Sequence, residues 1–165
     1  FAREKFGPAS PISQNLSREP ELFLQKAHIV NRYQARLTRL YAAARAGEIT
    51  KQDALAKKQA LFDRLHADCM AIAPEPSSFS PCPGAANNAG LAFDFTYTKH
   101  YPLLYEVFLS QGRDVRRTIS AVKQALAAGA ASEDQAVKTF HDLIGRQKPG
   151  APGDAFALHP LPPLR

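Results

Sequence analysis

The sequence predicts an all-α fold in which a long antiparallel helical hairpin precedes three shorter helices. Apolar residues recur at spacings of three and four along two long stretches, and helix-capping residues stand where these stretches begin. A chain of 165 residues with 45% hydrophobic content also suits one compact domain better than disorder. No window approaches the ~18 uninterrupted apolar residues of a membrane span, so no transmembrane segment is predicted.

The first long stretch predicts the first helix of the hairpin. Residues 1–16 mix Gly, Pro and polar residues without a period, which indicates an irregular lead-in. The helix is expected to begin at Ser17, with Pro20 in its first turn, and to end at Gly47. Its apolar stripe consists of Phe23, Val30, Tyr33, Leu37, Leu40 and Ala44.

A second helix is predicted to begin after Thr50, because Asp53 three residues later completes a pattern typical of a capping box. Its apolar stripe consists of Leu55, Phe62, Leu65, Cys69 and Ile72. Two amphipathic helices joined by a short turn bury their stripes against each other. The sequence therefore predicts an antiparallel hairpin over residues 17–72.

The remaining chain divides by composition. Residues 73–86 contain four prolines and predict a loop, whereas residues 87–101 fit neither a helical nor a strand period. Three helices are expected within residues 102–145, and their first turns are marked by Pro102, Asp114 and Ser132. The Pro-rich tail over residues 146–165 is typical of a linker, so the helical domain is predicted to span residues 17–145.

The net charge of +6 raises the question of an acidic partner. The basic residues are spread through the first two helices, Lys26 among them, and no aromatic RNA-binding motif accompanies them. A solvated helix face explains this pattern better than nucleic-acid binding does.

The histidines and cysteines predict no metal site in this chain. None of the five histidines belongs to an H-E-x-x-H pair, the helical signature of zinc hydrolases. A zinc site of His66, Cys69 and Cys82 is conceivable, but Cys69 lies on the apolar stripe, which favours a buried thiol. In an oxidising compartment the two cysteines could instead close a short loop by a disulfide.

One segment carries an unusual density of polar groups before the helix that begins near Pro102. It contains Asn87, Asn88, Tyr97, His100 and Tyr101. Phenolic hydroxyls and a helix N-terminus can stabilise developing negative charge, as an acyl-transfer site requires. A hydrogen-bonded turn, with asparagines capping the backbone and tyrosines packed on the hairpin, explains the same residues and is favoured by the residues alone.

A resemblance to a known family bears on this choice. The block Asn87-Asn88-Ala89, Leu91-Ala92, Thr96-Tyr97, Tyr101-Pro102 and Tyr105 resembles the C-terminal half of the bacterial predicted-aminopeptidase family of zinc metallopeptidases. The resemblance covers roughly residues 20–127 and is most specific between the two asparagines and the proline. The family's Gly-Asp is replaced here by Arg113-Asp114, and its Trp/Gly-rich stretch before the asparagines has no equivalent.

The resemblance implies an expected function. The zinc-binding H-E-x-x-H segment of the family would lie before Phe1 or on a partner chain, so this chain is expected to be inactive alone and to hold no cofactor, with zinc in the parent protein. A chain that begins at Phe rather than Met is itself typical of a processed product or fragment. A periplasmic or membrane-associated parent is expected.

The resemblance implies that the parent protein hydrolyses peptides. Tyr97 would donate a hydrogen bond to the oxyanion, Asn87 or Asn88 would hold the backbone or amine of a peptide substrate, and His100 and Tyr101 would complete the substrate side. The alternative is a non-enzymatic helical module that binds a protein partner or serves as a subunit of a larger assembly.

Overall fold

The computed structural model describes residues 2–72, 87–127 and 132–145. These residues contain no strand, which confirms the prediction of an all-α fold. The helices are α1 (Ala2–Phe6), α2 (Pro11–Arg45), α3 (Lys51–Met70), α4 (Asn88–Thr98), α5 (Tyr101–Ser110), α6 (Val115–Ala127) and α7 (Glu133–Gly145). None of these helices is both long and apolar enough to cross a membrane. The proline-rich loop and tail predicted from the sequence lie outside the described residues.

The prediction of an irregular lead-in over residues 1–16 is wrong. Helix α1 occupies part of it, and α2 begins at Pro11, with Ser10 as its N-cap residue. Proline is well suited to the first helical position, so the start of α2 follows an ordinary rule. Pro20 consequently lies inside α2 rather than in its first turn. The buried Ser13 side chain fixes α1, since its hydroxyl donates to the carbonyl oxygen of Ala2 at 3.0 Å.

The predicted turn of the hairpin, from Gly47 at the end of α2 to the start of α3 after Thr50, is confirmed. At the end of α2, Gly47 has a φ of 74°, a conformation that side chains disfavour. The N–H of Gly47 donates to Ala44 and that of Glu48 to Ala43, which is the Schellman pattern. Helix α3 begins after Thr50, whose hydroxyl oxygen accepts a hydrogen bond from the N–H of Asp53 at 3.0 Å.

The hydrophobic core lies between α2, α3 and α4. It consists of Val30, Tyr33, Leu37, Phe62, Leu65, Cys69 and Leu91. The predicted stripes therefore face each other, with one exception: Leu55 is 56% exposed. A spacing of seven residues drifts by about 20° per heptad around an α-helix, so Leu55, two heptads before Cys69, falls at the edge of the buried face.

The chain divides into two compact units, and the helical domain predicted over residues 17–145 extends over both. The first unit extends to Glu106 and the second begins at Val107, within α5. In the second unit α6 packs on α7, and Phe140 is buried. The predicted N-caps of α6 and α7 are confirmed by bonds from Arg117 N to Asp114 and from Gln135 N to Ser132.

Candidate functional site

Helix α4 forms most of the segment to which the sequence assigned neither helix nor strand. Asn87 is its N-cap residue, and its side-chain oxygen accepts a hydrogen bond from the N–H of Gly90 at 3.0 Å. The alternating apolar residues of this segment favour a strand. Contacts with α2 outweigh that preference, because each end of α4 and its middle are bonded to an α2 side chain.

The two ends of α4 are held by polar side chains of α2. Near the first end, the hydroxyl of Tyr41 donates to Asn88 Oδ1 at 2.7 Å. At the last turn, Asn31 Nδ2 donates to the carbonyl oxygens of Thr98 and Lys99 at 3.0 and 3.3 Å. The buried hydroxyl of Thr98 in turn donates to Asn31 Oδ1 at 3.0 Å. Asn31 therefore caps the C-terminus of a helix other than its own.

A buried ion pair holds the middle of α4. Lys26 Nζ lies 3.2 Å from Asp94 Oδ1, and the two side chains are only 4% and 13% exposed. Lysine is rarely buried unless it is paired. The predicted solvated basic face is thus wrong at Lys26, because this residue lies on the apolar stripe, between Phe23 and Val30 in helical spacing.

A cleft opens beside this ion pair. Its volume is about 170 Å³, and it is lined by Phe23, Lys26, Phe93, Asp94, Tyr97 and Thr98. The rings of Phe93 and Tyr97 meet edge to face with centroids 5.2 Å apart. Both residues are largely exposed, at 64% and 58%. The cleft therefore combines aromatic walls with one neutralised pair of charges.

Of the five residues predicted for a site, only Tyr97 lines the cleft. The hydroxyl of Tyr97 forms no hydrogen bond with any residue of the described ranges. The Oδ1 atoms of Asn87 and Asn88 accept the bonds from Gly90 and Tyr41 described above. His100 is half-buried in the turn between α4 and α5, where its carbonyl oxygen accepts from the N–H of Leu104.

Tyr101 is bound to α2 and lies outside the cleft lining. Its hydroxyl donates to the carbonyl oxygen of Pro20 at 3.0 Å, and its ring meets Phe23 edge to face at 4.5 Å. Burial raises the pKa of Tyr101 to about 12, and the neighbouring Tyr105 adds to the shift. These contacts hold the side chain of Tyr101 against α2.

The raised pKa predicts a loss of stability in alkali. A tyrosine whose pKa is higher in the folded than in the unfolded protein stabilises the fold below pH 10 and loses this contribution between pH 10 and about pH 12. We expect Tyr101→Phe to cost about 1 kcal/mol at neutral pH and to make this part of the pH dependence disappear. Urea unfolding of both proteins at several pH values measures the difference; parallel curves would contradict the assignment.

The described residues do not fit a zinc ion. Within residues 2–72, 87–127 and 132–145, no group of three or more His, Cys, Asp or Glu side chains could hold a metal. Cys69 is disulfide-bonded, so its sulfur is not a thiolate ligand as the set with His66 would require. Cys82 lies outside the described residues.

Sequence reasoning missed Lys26, Asp94, Asn31 and Thr98. A signal existed for two of them. Lys26 occupies a position of the first apolar stripe, and Asp94 lies between Leu91 and Thr98 at helical spacings of three and four. Once α4 is recognised as a helix, both charged residues fall on faces that must be buried, and a buried charge requires a partner.

The comparisons with known proteins agree with the resemblance found in the sequence. A family model described as "Putative aminopeptidase" matches residues 9–137, and these residues include the whole cleft. No curated protein and no solved structure matches the chain.

Proposed function

Because the chain belongs to the family of putative aminopeptidases, we propose that it forms the substrate-facing helical part of an enzyme that removes residues from the N-terminus of peptides. Zinc, held by residues other than those described here, would supply the activated water of this hydrolysis. The described residues would bind and orient the peptide. The alternative from the sequence, a non-enzymatic interaction module, is an outcome of the test below.

The observation that supports this role most directly is the position of Tyr97. Its ring is exposed at the cleft, and its hydroxyl has no partner among the described residues. A hydroxyl left unbonded by its own fold can donate to a ligand without first breaking an internal hydrogen bond. In peptide hydrolysis the group that gains most from such a donor is the carbonyl oxygen on which negative charge develops.

The position of Tyr97 is also well fixed. Helix α4 is bonded to α2 through Asn88, Asp94 and Thr98. A donor on a helix held at three points keeps its orientation, and oxyanion stabilisation depends on donors that are oriented before the reaction. Asn87 and Asn88, proposed from the family resemblance to hold the substrate, each accept their present bond through Oδ1, so their Nδ2 groups would donate to the substrate backbone without breaking it.

We expect Tyr97→Phe, made in the complete enzyme, to lower turnover of an aminoacyl reporter by about 10²–10³-fold, the typical cost of losing one oxyanion donor. The melting temperature should not change, because the ring remains and the hydroxyl bonds no described residue. Turnover and thermal melting of the same preparation measure the two effects.

Tyr33→Phe is the matched control. It also removes one hydroxyl from a tyrosine, but from one that donates to Asp68 of α3 and lies outside the cleft lining. We expect it to cost about 1 kcal/mol of stability and to leave turnover nearly unchanged. If Tyr97→Phe also leaves turnover unchanged, the proposal for Tyr97 is wrong. If the complete protein hydrolyses no aminoacyl or peptide substrate, the interaction module becomes the better account.

A further inference from the structure

We infer that the cleft between α2 and α4 binds the side chain of the N-terminal residue of a peptide, and that it selects neutral apolar side chains of the size of leucine or phenylalanine. The inference rests on the proposed function for the identity of the ligand as a peptide. The choice of side chain rests on the volume, the lining and the charges of the cleft.

The volume and lining match one apolar side chain. An apolar protein cavity of about 150 Å³ accommodates a benzene ring. The present cleft has about 170 Å³, and the rings of Phe23 and Phe93 form part of its wall. A branched aliphatic or phenyl group would fill this space and cover apolar surface, whereas the side chain of glycine or alanine would leave most of it empty.

The charges of the cleft select against ionised side chains. Lys26 and Asp94 neutralise each other at 3.2 Å, and both are largely buried. A third charge placed beside them would lose its hydration and find no counter-charge of its own. The cleft therefore recognises a neutral group, although two of its six lining residues are charged.

The position of Tyr97 connects the cleft to the proposed reaction. Phe93 and Tyr97 are four residues apart in α4 and therefore adjacent on one face of the helix. If the hydroxyl of Tyr97 meets the carbonyl oxygen of the bond to be cut, a side chain in contact with Phe93 belongs to the residue that carries this carbonyl. In an aminopeptidase this is the N-terminal residue.

A binding experiment with the dipeptides Leu-Gly, Phe-Gly, Lys-Gly and Glu-Gly tests the inference without any turnover. The four probes share the α-ammonium and the glycine and differ only in the first side chain. In a titration followed by amide chemical shifts, we expect Leu-Gly and Phe-Gly to bind at least about tenfold more tightly than the charged pair, with the shifts centred on α4. Equal affinity for all four would overturn the inference.

Two variants locate the binding site. Phe93→Ala should weaken Leu-Gly and Phe-Gly binding about fivefold or more, while Leu55→Ala, which removes a similarly exposed apolar side chain from α3, should not affect it. Equal effects of the two changes would contradict the inference.

Asp94→Asn leaves Lys26 unpaired and should raise the affinity for Glu-Gly relative to Leu-Gly. If this variant does not fold, Phe93→Ala decides the question.

The two proposals fail in different ways. Selective dipeptide binding together with unchanged turnover of Tyr97→Phe would support side-chain binding in the cleft and refute the role of Tyr97. Loss of turnover in Tyr97→Phe, with no selectivity among the dipeptides, would support the role of Tyr97 and refute the cleft.

Discussion

Asp94→Asn is expected to lower the free energy of unfolding by about 3–5 kcal/mol, although it replaces a single carboxylate by an amide of the same shape. The reason is the lysine that remains. The side chain of Lys26 is 4% exposed, and Asp94 is the counter-ion that lies 3.2 Å from it. Without this carboxylate the ammonium group is buried without its counter-ion, and water can hydrate it only at the expense of packing.

A double variant separates two effects on stability: the cost of leaving Lys26 without a counter-ion, and the net contribution of the ion pair itself. Replacing both residues, Lys26→Met with Asp94→Leu, leaves no buried charge, and such replacements are often neutral or stabilising. We therefore expect the double variant to unfold near the midpoint of the original protein. Urea unfolding followed by circular dichroism measures all three proteins.

Asp63→Asn is the control for this series. Asp63 accepts a hydrogen bond from Gln59 on the exposed surface of α3, and its replacement should change stability by no more than about 0.5 kcal/mol. If Asp63→Asn and Asp94→Asn shift the unfolding midpoint equally, the ion pair is not buried in solution as it is in the structure.

Phe62→Ala is expected to cost about 3–5 kcal/mol, because it removes a ring from the centre of the hairpin core. Phe62 is 4% exposed and belongs to the core cluster together with Leu37 and Leu65. The surrounding helices cannot close fully around the missing ring. The cost of the cavity that remains therefore adds to the lost transfer free energy of the ring.

Leu55→Ala is the matched comparison on the same helix. By sequence pattern Leu55 and Phe62 belong to one stripe, but Leu55 is 56% exposed. We expect its removal to change stability by no more than about 0.5 kcal/mol. Equal destabilisation by the two changes would show that the register of α3 against α2 differs from the structure.

The hairpin could be predicted from the sequence because its determinants are local and repeated. The stripe of α2 and the caps at Gly47 and Thr50 follow from spacing and from residue type alone. The start of α2 was missed for the opposite reason. The apolar residues of its first turns, Ile12 and Leu16, are about half exposed, and a buried group near this end is the hydroxyl of Ser13, whose partner is a carbonyl of α1.

Helix α4 and its cleft could not be predicted in the same way, because their determinants are distant in sequence. Phe93 and Phe95 alternate as in a strand, and the bonds that fix the helix come from Asn31 and Lys26, more than 60 residues earlier. Tyr97 was singled out by the density of polar groups in its segment, and its expected role came from the family resemblance. The ion pair beside it was not, since a lysine among other basic residues indicates a solvated surface until the opposite helix is known.

The capping of α4 by Asn31 has a consequence for the order of folding. A helix of 11 residues is too short to persist alone in water, and the carbonyl groups at its end depend on a side chain 67 residues away. The α2–α3 hairpin closes over a turn of a few residues and can form first. We therefore expect helix α4 to form on the surface of α2 after the hairpin, so that the cleft between α2 and α4 is completed last.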